Sequence, residues 1–285
     1  MRIIGGELKR RKLHSPPAGA PTRPIPDMVR QALFNLLRGH TEGQPVFDAF
    51  AGTGAIGIEA LSRGASRCVF VERDKRMAAV LQRNLDELGL SDRASVVIGD
   101  ALGPSALSRC PSPVHLAFFD PPYPLVREPS QWPRVVTQLS RIGEKLTPDG
   151  FLVLRTPWAF YHEIGGGAEE GDEDAPPSDG KPRRGERPAR GGSARSRPPE
   201  RARTPRTVSV SLEDAGAEDL LDAFEAELVA AGGGGVGGSG EGGKRVTRTP
   251  VDLSIPGLVG PETHPYRHTA VHLYMRAPAG AKGAL

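Results

Sequence analysis

A glycine turn constrains this chain more than any other stretch: Asp48-Ala49-Phe50-Ala51-Gly52-Thr53-Gly54-Ala55-Ile56-Gly57. It follows the apolar pair Val46-Phe47 and opens into a helical pattern from Ile56 to Arg63. A strand, a tight turn and a helix N-terminus in that order form a cradle for a polar ligand. Glycine lets the backbone approach closely, and the first helical turn carries free N–H groups. The spacing is G-x-G-x-x-G, which by itself leaves open a dinucleotide or another nucleoside cofactor. Glu72 closes the next apolar run, Cys68–Val71, and puts a carboxylate about one βαβ unit downstream, where a ribose diol would lie. Asp120-Pro121-Pro122-Tyr123 then follows a third apolar run, Val114–Phe119.

Around this turn the pattern repeats as βα units: strand 46–50, helix 55–63, strand 68–72, helix 74–88, strand 94–98 and strand 114–119, then helix 135–146 and strand 150–155. Short runs apolar on both faces alternate with amphipathic helices, which predicts a mostly parallel, doubly wound α/β sheet covered on two sides. Met77, Val80, Leu81, Leu85 and Leu88 form one helical stripe ending at Gly89, a core face and not a cofactor box. Asp100 stands at a strand carboxyl end, where open α/β sheets bind ligands; capping of the following segment is the structural alternative. Upstream, residues 1–13 predict a small hairpin around Gly5-Gly6, flanked by Lys9, Arg10, Arg11 and Lys12. Such a cluster is either a solvated face or a set of phosphate contacts. Asp27 is placed to cap a helix whose apolar face is Val29, Leu33, Leu36 and Leu37, leaving Arg23 and Arg30 for a role at a cofactor or on RNA.

Apolar residues make up only 38% of the chain, and Gly (36) and Pro (28) are abundant, so one packed domain plus a sizeable unstructured portion is expected. That portion is 165–245: acidic from Glu169 to Asp174, dense in Arg and Pro from Lys181 to Arg206, nearly all Gly over 232–243. One island of helical spacing, Ala217 to Ala231, interrupts it. Order returns at Val251–Ile255 and Thr269–Arg276, read as two strands pairing antiparallel at the sheet edge. Cys68 and Cys110 give neither a disulfide framework nor metal-ligand spacing and read as buried thiols of a reducing cytosol. No apolar run reaches spanning length and the N-terminus lacks a signal-peptide core, so a cytoplasmic, metal-free monomer is expected, with no membrane partner. A pI near 9.0 hints at a polyanionic partner. The histidines are scattered and none is assigned a catalytic role.

D-x-F-A-G-T-G, an acidic strand end and D-P-P-Y in that order resemble the S-adenosylmethionine-dependent methyltransferases of exocyclic amines. Arg2-Ile3-Ile4-Gly5-Gly6, Arg23-Pro24 and Asp27-Met28-Val29-Arg30-Gln31-Ala32-Leu33-Phe34-Asn35 sharpen this to the RsmD-type methyltransferases of bacterial small-subunit ribosomal RNA. The resemblance covers about 1–158 and 250–276. It implies a Rossmann-like class I methyltransferase fold with an antiparallel edge strand, S-adenosylmethionine as cofactor, and the N2 amine of a guanine as acceptor. The organisation it implies is an N-terminal basic hairpin and helix (1–40), a methyltransferase core (41–164), a disordered insertion (165–245) and C-terminal edge strands (246–277). It assigns the cofactor to Asp48, Phe50, Ala51, Gly52, Thr53, Gly54, Glu72, Asp100 and Ala101, with Asp48 near the methionine ammonium and Asp100 on the adenine amine. Asp120, Pro121, Pro122 and Tyr123 become the catalytic set, in which Asp120 and the Pro121 carbonyl accept the amine hydrogens and Tyr123 stacks on the base. Arg2, Lys9, Arg10, Arg11, Lys12, Arg23 and Arg30 become RNA contacts, on naked RNA or on a 30S assembly particle. One departure is Tyr266-Arg267, where the family has Tyr-Gly, which bears on the turn before the last strand. Three other readings stand beside this one: an adenine-N6 DNA methyltransferase, a nicotinamide-dependent oxidoreductase, and a non-catalytic RNA-binding assembly protein that keeps the cofactor fold.

Overall fold

Apolar runs bounded by turn residues become five parallel strands: β1 (Pro45–Asp48), β2 (Arg67–Glu72), β3 (Ala94–Ile98), β4 (Val114–Phe119) and β5 (Leu146–Pro157). The computed structural model describes residues 1–17, 19–20, 25–164 and 247–278. Between and before the strands run α1 (Asp27–Leu36), α2 (Ala55–Ser62), α3 (Lys75–Leu88), α4 (Pro104–Arg109), α5 (Tyr123–Arg127) and α6 (Trp132–Gly143). Past β5 come β6 (Tyr161–Ile164), β7 (Thr247–Pro250), β8 (Leu258–Tyr266) and β9 (Thr269–Arg276). The main sheet has the order β3-β2-β1-β4-β5-β9-β8, and β6 and β7 form a separate ribbon. In the main sheet only β9 runs against the rest, antiparallel to both β5 and β8.

Both faces of the sheet are covered, and for this reason β4 is buried along its whole length. On one face Leu33 and Phe34 of α1, Ile58 and Leu61 of α2, and Leu81 and Leu85 of α3 pack against Phe70, Leu116 and Phe118. On the other, Val135, Leu139 and Ile142 of α6 meet Ala117, Leu152 and Leu154. Cys68 and Cys110 are both buried and free, and burial pushes the Cys110 thiol up to about 12.

The N-terminal hairpin forms as expected, closed by an Arg2–Lys12 bridge and by Ile3 N–H to the Arg11 carbonyl (2.9 Å). A buried carboxylate holds it on the core. Glu59 of α2 accepts the N–H of Ile4 (2.8 Å) and of Gly5 (2.7 Å), and its side chain is 1% exposed. The same carboxylate takes Arg63 Nε at 2.9 Å and faces Arg30 Nε at 3.7 Å. Next to it, Ser62 Oγ donates to the Gly5 carbonyl (2.6 Å) and accepts Leu8 N–H (3.0 Å). Gly6 has φ +74, and a Cβ there would stand 1.8 Å from the Ser62 carbonyl oxygen, so only glycine permits this approach.

Two expectations are corrected. The partner of the last strand is β8, not 251–255; the alternating Val251, Leu253 and Ile255 instead pack over the α6 face of the core, where Tyr274 Oη donates to the Leu253 carbonyl (2.9 Å). β8 escapes a sequence pattern because it contains Gly260, Pro261 and Pro265, which an edge strand tolerates. Asp27 is the first residue of α1 and makes no cap; it accepts Arg30 Nη2 at 3.0 Å. The Tyr266-Arg267 departure is met by strain, since Arg267 turns the β8–β9 hairpin at φ 43, outside the ordinary range for a side-chain-bearing residue. The expected insertion 165–245, with its helical island, lies outside the described residues.

Two expected outcomes follow from this frame. Glu59→Ala leaves the buried Arg30 guanidinium without its nearest internal carboxylate and two hairpin amides without an acceptor, a loss of roughly 3–5 kcal/mol measurable by urea unfolding. Separately, Ile164 pairs with Thr247, so the two flanks of the segment between them are neighbours. Replacing 165–246 by a short Gly/Ser turn should therefore leave one cooperative thermal transition, because closure cost varies only logarithmically with loop length. An insoluble or non-cooperative product would show that the replaced stretch belongs to the core.

Candidate active site

Strand register brings the acidic residues to one edge. Asp48 ends β1 and pairs with Phe70 of β2 and Phe118 of β4. Glu72 lies just beyond Phe70, Asp120 just beyond Phe118, and Glu72 pairs with Ile98, close before Asp100. Asp48, Glu72, Asp100 and Asp120 thus share the carboxyl edge of the sheet, centred where the strand order reverses between β1 and β4. Open α/β sheets bind their ligands at such a point.

Asp48 is 1% exposed. Its Oδ2 accepts Gly57 N–H at 3.0 Å, while Oδ1 is buried with no hydrogen-bond partner. Burial pushes its carboxyl up to about 7; the Gly57 N–H opposes this, and the charges of Asp120 and Glu72 add to it. A buried carboxylate oxygen without a donor is a costly feature unless a ligand satisfies it. Glu72 is held from two sides, with Oε2 accepting Gly52 N–H (2.8 Å) and Oε1 accepting Asp74 N–H (2.7 Å). Those bonds fix the glycine turn to the end of β2 and leave lone pairs on both oxygens.

The turn itself depends on Gly54, which caps α2 at φ 87; a Cβ there would lie 2.4 Å from Leu81 Cδ1. Phe50 packs its ring against Phe119 at 6.0 Å, and Ala51 donates to the Val71 carbonyl (3.0 Å). Thr53 is buried, and its carbonyl accepts Asn84 Nδ2 at 2.9 Å. Asn84 in turn accepts His14 N–H at 2.8 Å, tying the N-terminal segment to the cradle. Sequence reasoning passed over Asn84 because it sits within the packing stripe of α3. Asp100 is exposed; it accepts Leu102 N–H (3.0 Å) and faces Arg134 at 3.5 Å, so it closes a turn rather than capping α4, whose N-cap is Gly103. Ala101 is buried, its carbonyl accepting Gln138 Nε2 at 2.9 Å.

Asp120 follows β4 directly, Pro121 is buried, Pro122 caps α5, and Tyr123 is the first residue of that helix. The Pro122 carbonyl accepts Leu125 N–H (2.9 Å), leaving Pro121 as the diproline carbonyl outside the helix ladder. A residue absent from the expected set completes this corner. Arg155, near the carboxyl end of β5, donates Nε to Asp120 Oδ1 at 2.6 Å and Nη1 to Tyr123 Oη at 3.1 Å. Burial raises the Asp120 carboxyl pKa, and Arg155 opposes the rise by its charge and its hydrogen bond.

Of the basic residues, Arg2, Lys9, Arg10, Arg11 and Lys12 are exposed on the hairpin. Arg2, Lys9 and Arg10 line a cleft of about 460 Å³ with Asp27, Met28 and Gln31. Arg30 is a correction: it is fully buried, donating to the Arg2 carbonyl at 2.6 Å and to Asp27, so it serves the hairpin and meets no RNA. Arg23 lies outside the described residues.

An unsatisfied buried carboxylate oxygen, a glycine cradle at a helix start, and a second carboxylate fixed beside it fit a nucleoside cofactor with a cationic end. The strand order, with reversed β9 between β5 and β8, is that of the Rossmann-like class I methyltransferases. Within that class, the family model described as Conserved hypothetical protein 95 matches residues 1–162, and the chain belongs to this family, the RsmD-type family that its motifs resemble. The Bacillus subtilis (strain 168) protein YlbH is 36% identical over 154 residues, 54% of this chain and 80% of that protein. Ribosomal RNA small subunit methyltransferase D of Escherichia coli (strain K12) is 39% identical over 123 residues, 43% of this chain and 60% of that protein, so less than two thirds of its length is matched. Among solved structures, the Escherichia coli protein yhhF is 29% identical with a TM-score of 0.46, covering 59% of this chain and 92% of that one.

Asp48 makes stability pH-dependent. An unfolded Asp titrates near about 3.9, so a folded value of about 7 means that the native state binds the proton more tightly. The stabilisation is fully present below about pH 4 and is lost as pH rises through about 7, on the order of 4 kcal/mol at most. The thermal midpoint should accordingly fall between pH 5 and 7.5, and Asp48→Asn should flatten that slope. Equal slopes in the two proteins would mean that Asp48 does not carry the proton.

Proposed function

We propose that this protein transfers a methyl group from S-adenosylmethionine to the exocyclic N2 amine of a guanine in small-subunit ribosomal RNA. The observation that carries this reading is the meeting of the glycine cradle and Asp120-Pro121-Pro122-Tyr123 at the reversal between β1 and β4. The Escherichia coli relative, a ribosomal RNA small subunit methyltransferase by name, supports the RNA substrate.

When bound, the cofactor supplies an electrophilic methyl on a sulfonium. Asp48 Oδ1 is the acceptor for its ammonium, Glu72 for its ribose hydroxyls, and Asp100 with Ala101 for its adenine. Gly52, Thr53 and Gly54 would supply the backbone of its cradle, which Phe50 and Ala51 would close. A guanine amine is a poor nucleophile because its lone pair is delocalised into the ring. Asp120 and the Pro121 carbonyl accept its hydrogens and so favour a pyramidal nitrogen with its lone pair directed at the methyl. The Arg155 bond goes to Asp120 Oδ1, and a carboxylate offers about four lone-pair sites, so Oδ2 serves the amine. Tyr123 gives the extruded base a ring to stack on, worth roughly 1–3 kcal/mol. Much of the acceleration comes from holding amine and methyl in line. The exposed Arg2, Lys9, Arg10, Arg11 and Lys12 position the RNA through its phosphates.

Incubating the protein with unmethylated 30S particles and S-adenosylmethionine, then mapping the modified nucleoside by mass, tests this directly. N2-methylguanosine is expected; N6-methyladenosine, or cofactor binding without transfer, would replace the reading. Asp120→Asn should lower single-turnover methylation by roughly 100-fold while calorimetry finds cofactor affinity unchanged. Near-native turnover in a folded variant would remove Asp120 from the chemistry.

A further inference from the structure

Arg155 stands where two parts of the D-P-P-Y corner must keep a fixed relation. Its backbone lies inside the sheet, on β5 between β4 and β9, paired with Val271. The side chain is 11% exposed and the Asp120 side chain 14%, so the 2.6 Å contact between them is shielded from most solvent. The guanidinium reaches both Asp120 Oδ1 and Tyr123 Oη, and its carbon lies 5.5 Å from the Tyr123 ring centroid. Only a planar fork with several donors makes both bonds at once, since a lysine ammonium is a single point charge on a flexible stem.

Resting on the methyl-transfer reading above, we propose that Arg155 is a positioning residue for the target base. One guanidinium fixes the Asp120 acceptor and the Tyr123 stacking ring relative to each other, so the amine and the base plane are set together. Asp120 arrives from a strand end and Tyr123 from the first residue of a short helix, α5, so neither element alone fixes that relation. A side chain anchored in the sheet does so, which is how sites hold sub-ångström geometry. The same bond favours the ionised, accepting form of Asp120 against the burial that raises its carboxyl. The groups that face this pair are Asp48 at the end of β1, whose own carboxyl the Asp120 charge helps to push up, Tyr123 from α5, and Arg127, whose guanidinium carbon lies 5.9 Å from the Tyr123 ring.

The test uses the full chain, with Arg155→Gln, Arg155→Lys and Tyr123→Phe as variants, each checked by cofactor calorimetry for a native cradle. Two readouts are compared: the Asp120 carboxyl titration by carbon NMR, assigned with Asp120→Asn, and the pH profile of single-turnover methylation of 30S particles. In Arg155→Gln the titration and the acid limb of the profile should both move up by about 1–3 pH units. In Arg155→Lys the titration should stay near wild type while turnover falls about tenfold, since charge is kept and the fork is lost. Tyr123→Phe should lose less than Arg155→Lys because the ring remains. An unmoved Asp120 titration in Arg155→Gln, or wild-type turnover in Arg155→Lys, overturns the proposal with the wild-type enzyme still active. Wild-type protein that transfers no methyl to RNA overturns the functional reading instead, and the positioning role falls with it. Should Arg155→Gln fail to bind cofactor, Arg155→Lys and Tyr123→Phe alone decide, because both keep the buried carboxylate's partner charge.

Discussion

One buried carboxylate, Glu59, joins the N-terminal hairpin to the helix that borders the glycine cradle. It lies on α2, whose first turn borders the glycine cradle and whose last turn receives the N-terminal hairpin. A carboxylate taken out of water is tolerated only when its lone pairs are filled, and here two backbone amides and the Arg63 guanidinium donate to it, with the charge of Arg30 close by. Because α2 is buried at every position, it behaves as a rigid strut. The basic hairpin is therefore indexed to the cradle through covalent helix and not through loose surface contact. Arg30, which a surface reading would send to RNA, is part of the same arrangement.

At the other end of α2 the parallel sheet gathers negative charge. Burial raises the carboxyls of Asp48 and Asp120, and at Asp48 the charges of Asp120 and Glu72 add to the rise. The protein offsets this unevenly. Glu72 receives two backbone amides and Asp120 receives Arg155, but Asp48 keeps an oxygen without a donor. Stabilising chemistry has thus been supplied at Glu72 and Asp120, and withheld at the Asp48 oxygen that the proposed cofactor's cation would meet.

Much of this was legible in the chain itself, for a physical reason. Parallel strands buried on both faces leave continuous apolar runs, and a ligand turn needs glycines at fixed spacing, so β1 to β4, α3 and the cradle could be read directly. What stayed hidden depends on register between distant segments. Nothing near Arg155 marks it; only the alignment of β4 with β5 sets it beside Asp120. Asn84 looks like any polar residue within an apolar stripe, and Glu59 like any acid on a helix. The edge was misread because alternation in Val251, Leu253 and Ile255 signals extended chain without saying whether it pairs, while β8 hides behind its prolines.

The state of Asp48 bears on how the cradle fills. A carboxyl that titrates at about 7 holds a proton in a good part of the population near neutrality. On the proposed reading, an ammonium coming to rest beside Oδ1 would favour the ionised form, so its arrival would expel that proton. Loading is then an exchange of one positive charge for another, and the interior gains less net charge than the ligand brings. Such a cradle takes up its cation more readily as the surroundings become more alkaline, and the heat of loading carries the ionisation enthalpy of whichever buffer receives the proton.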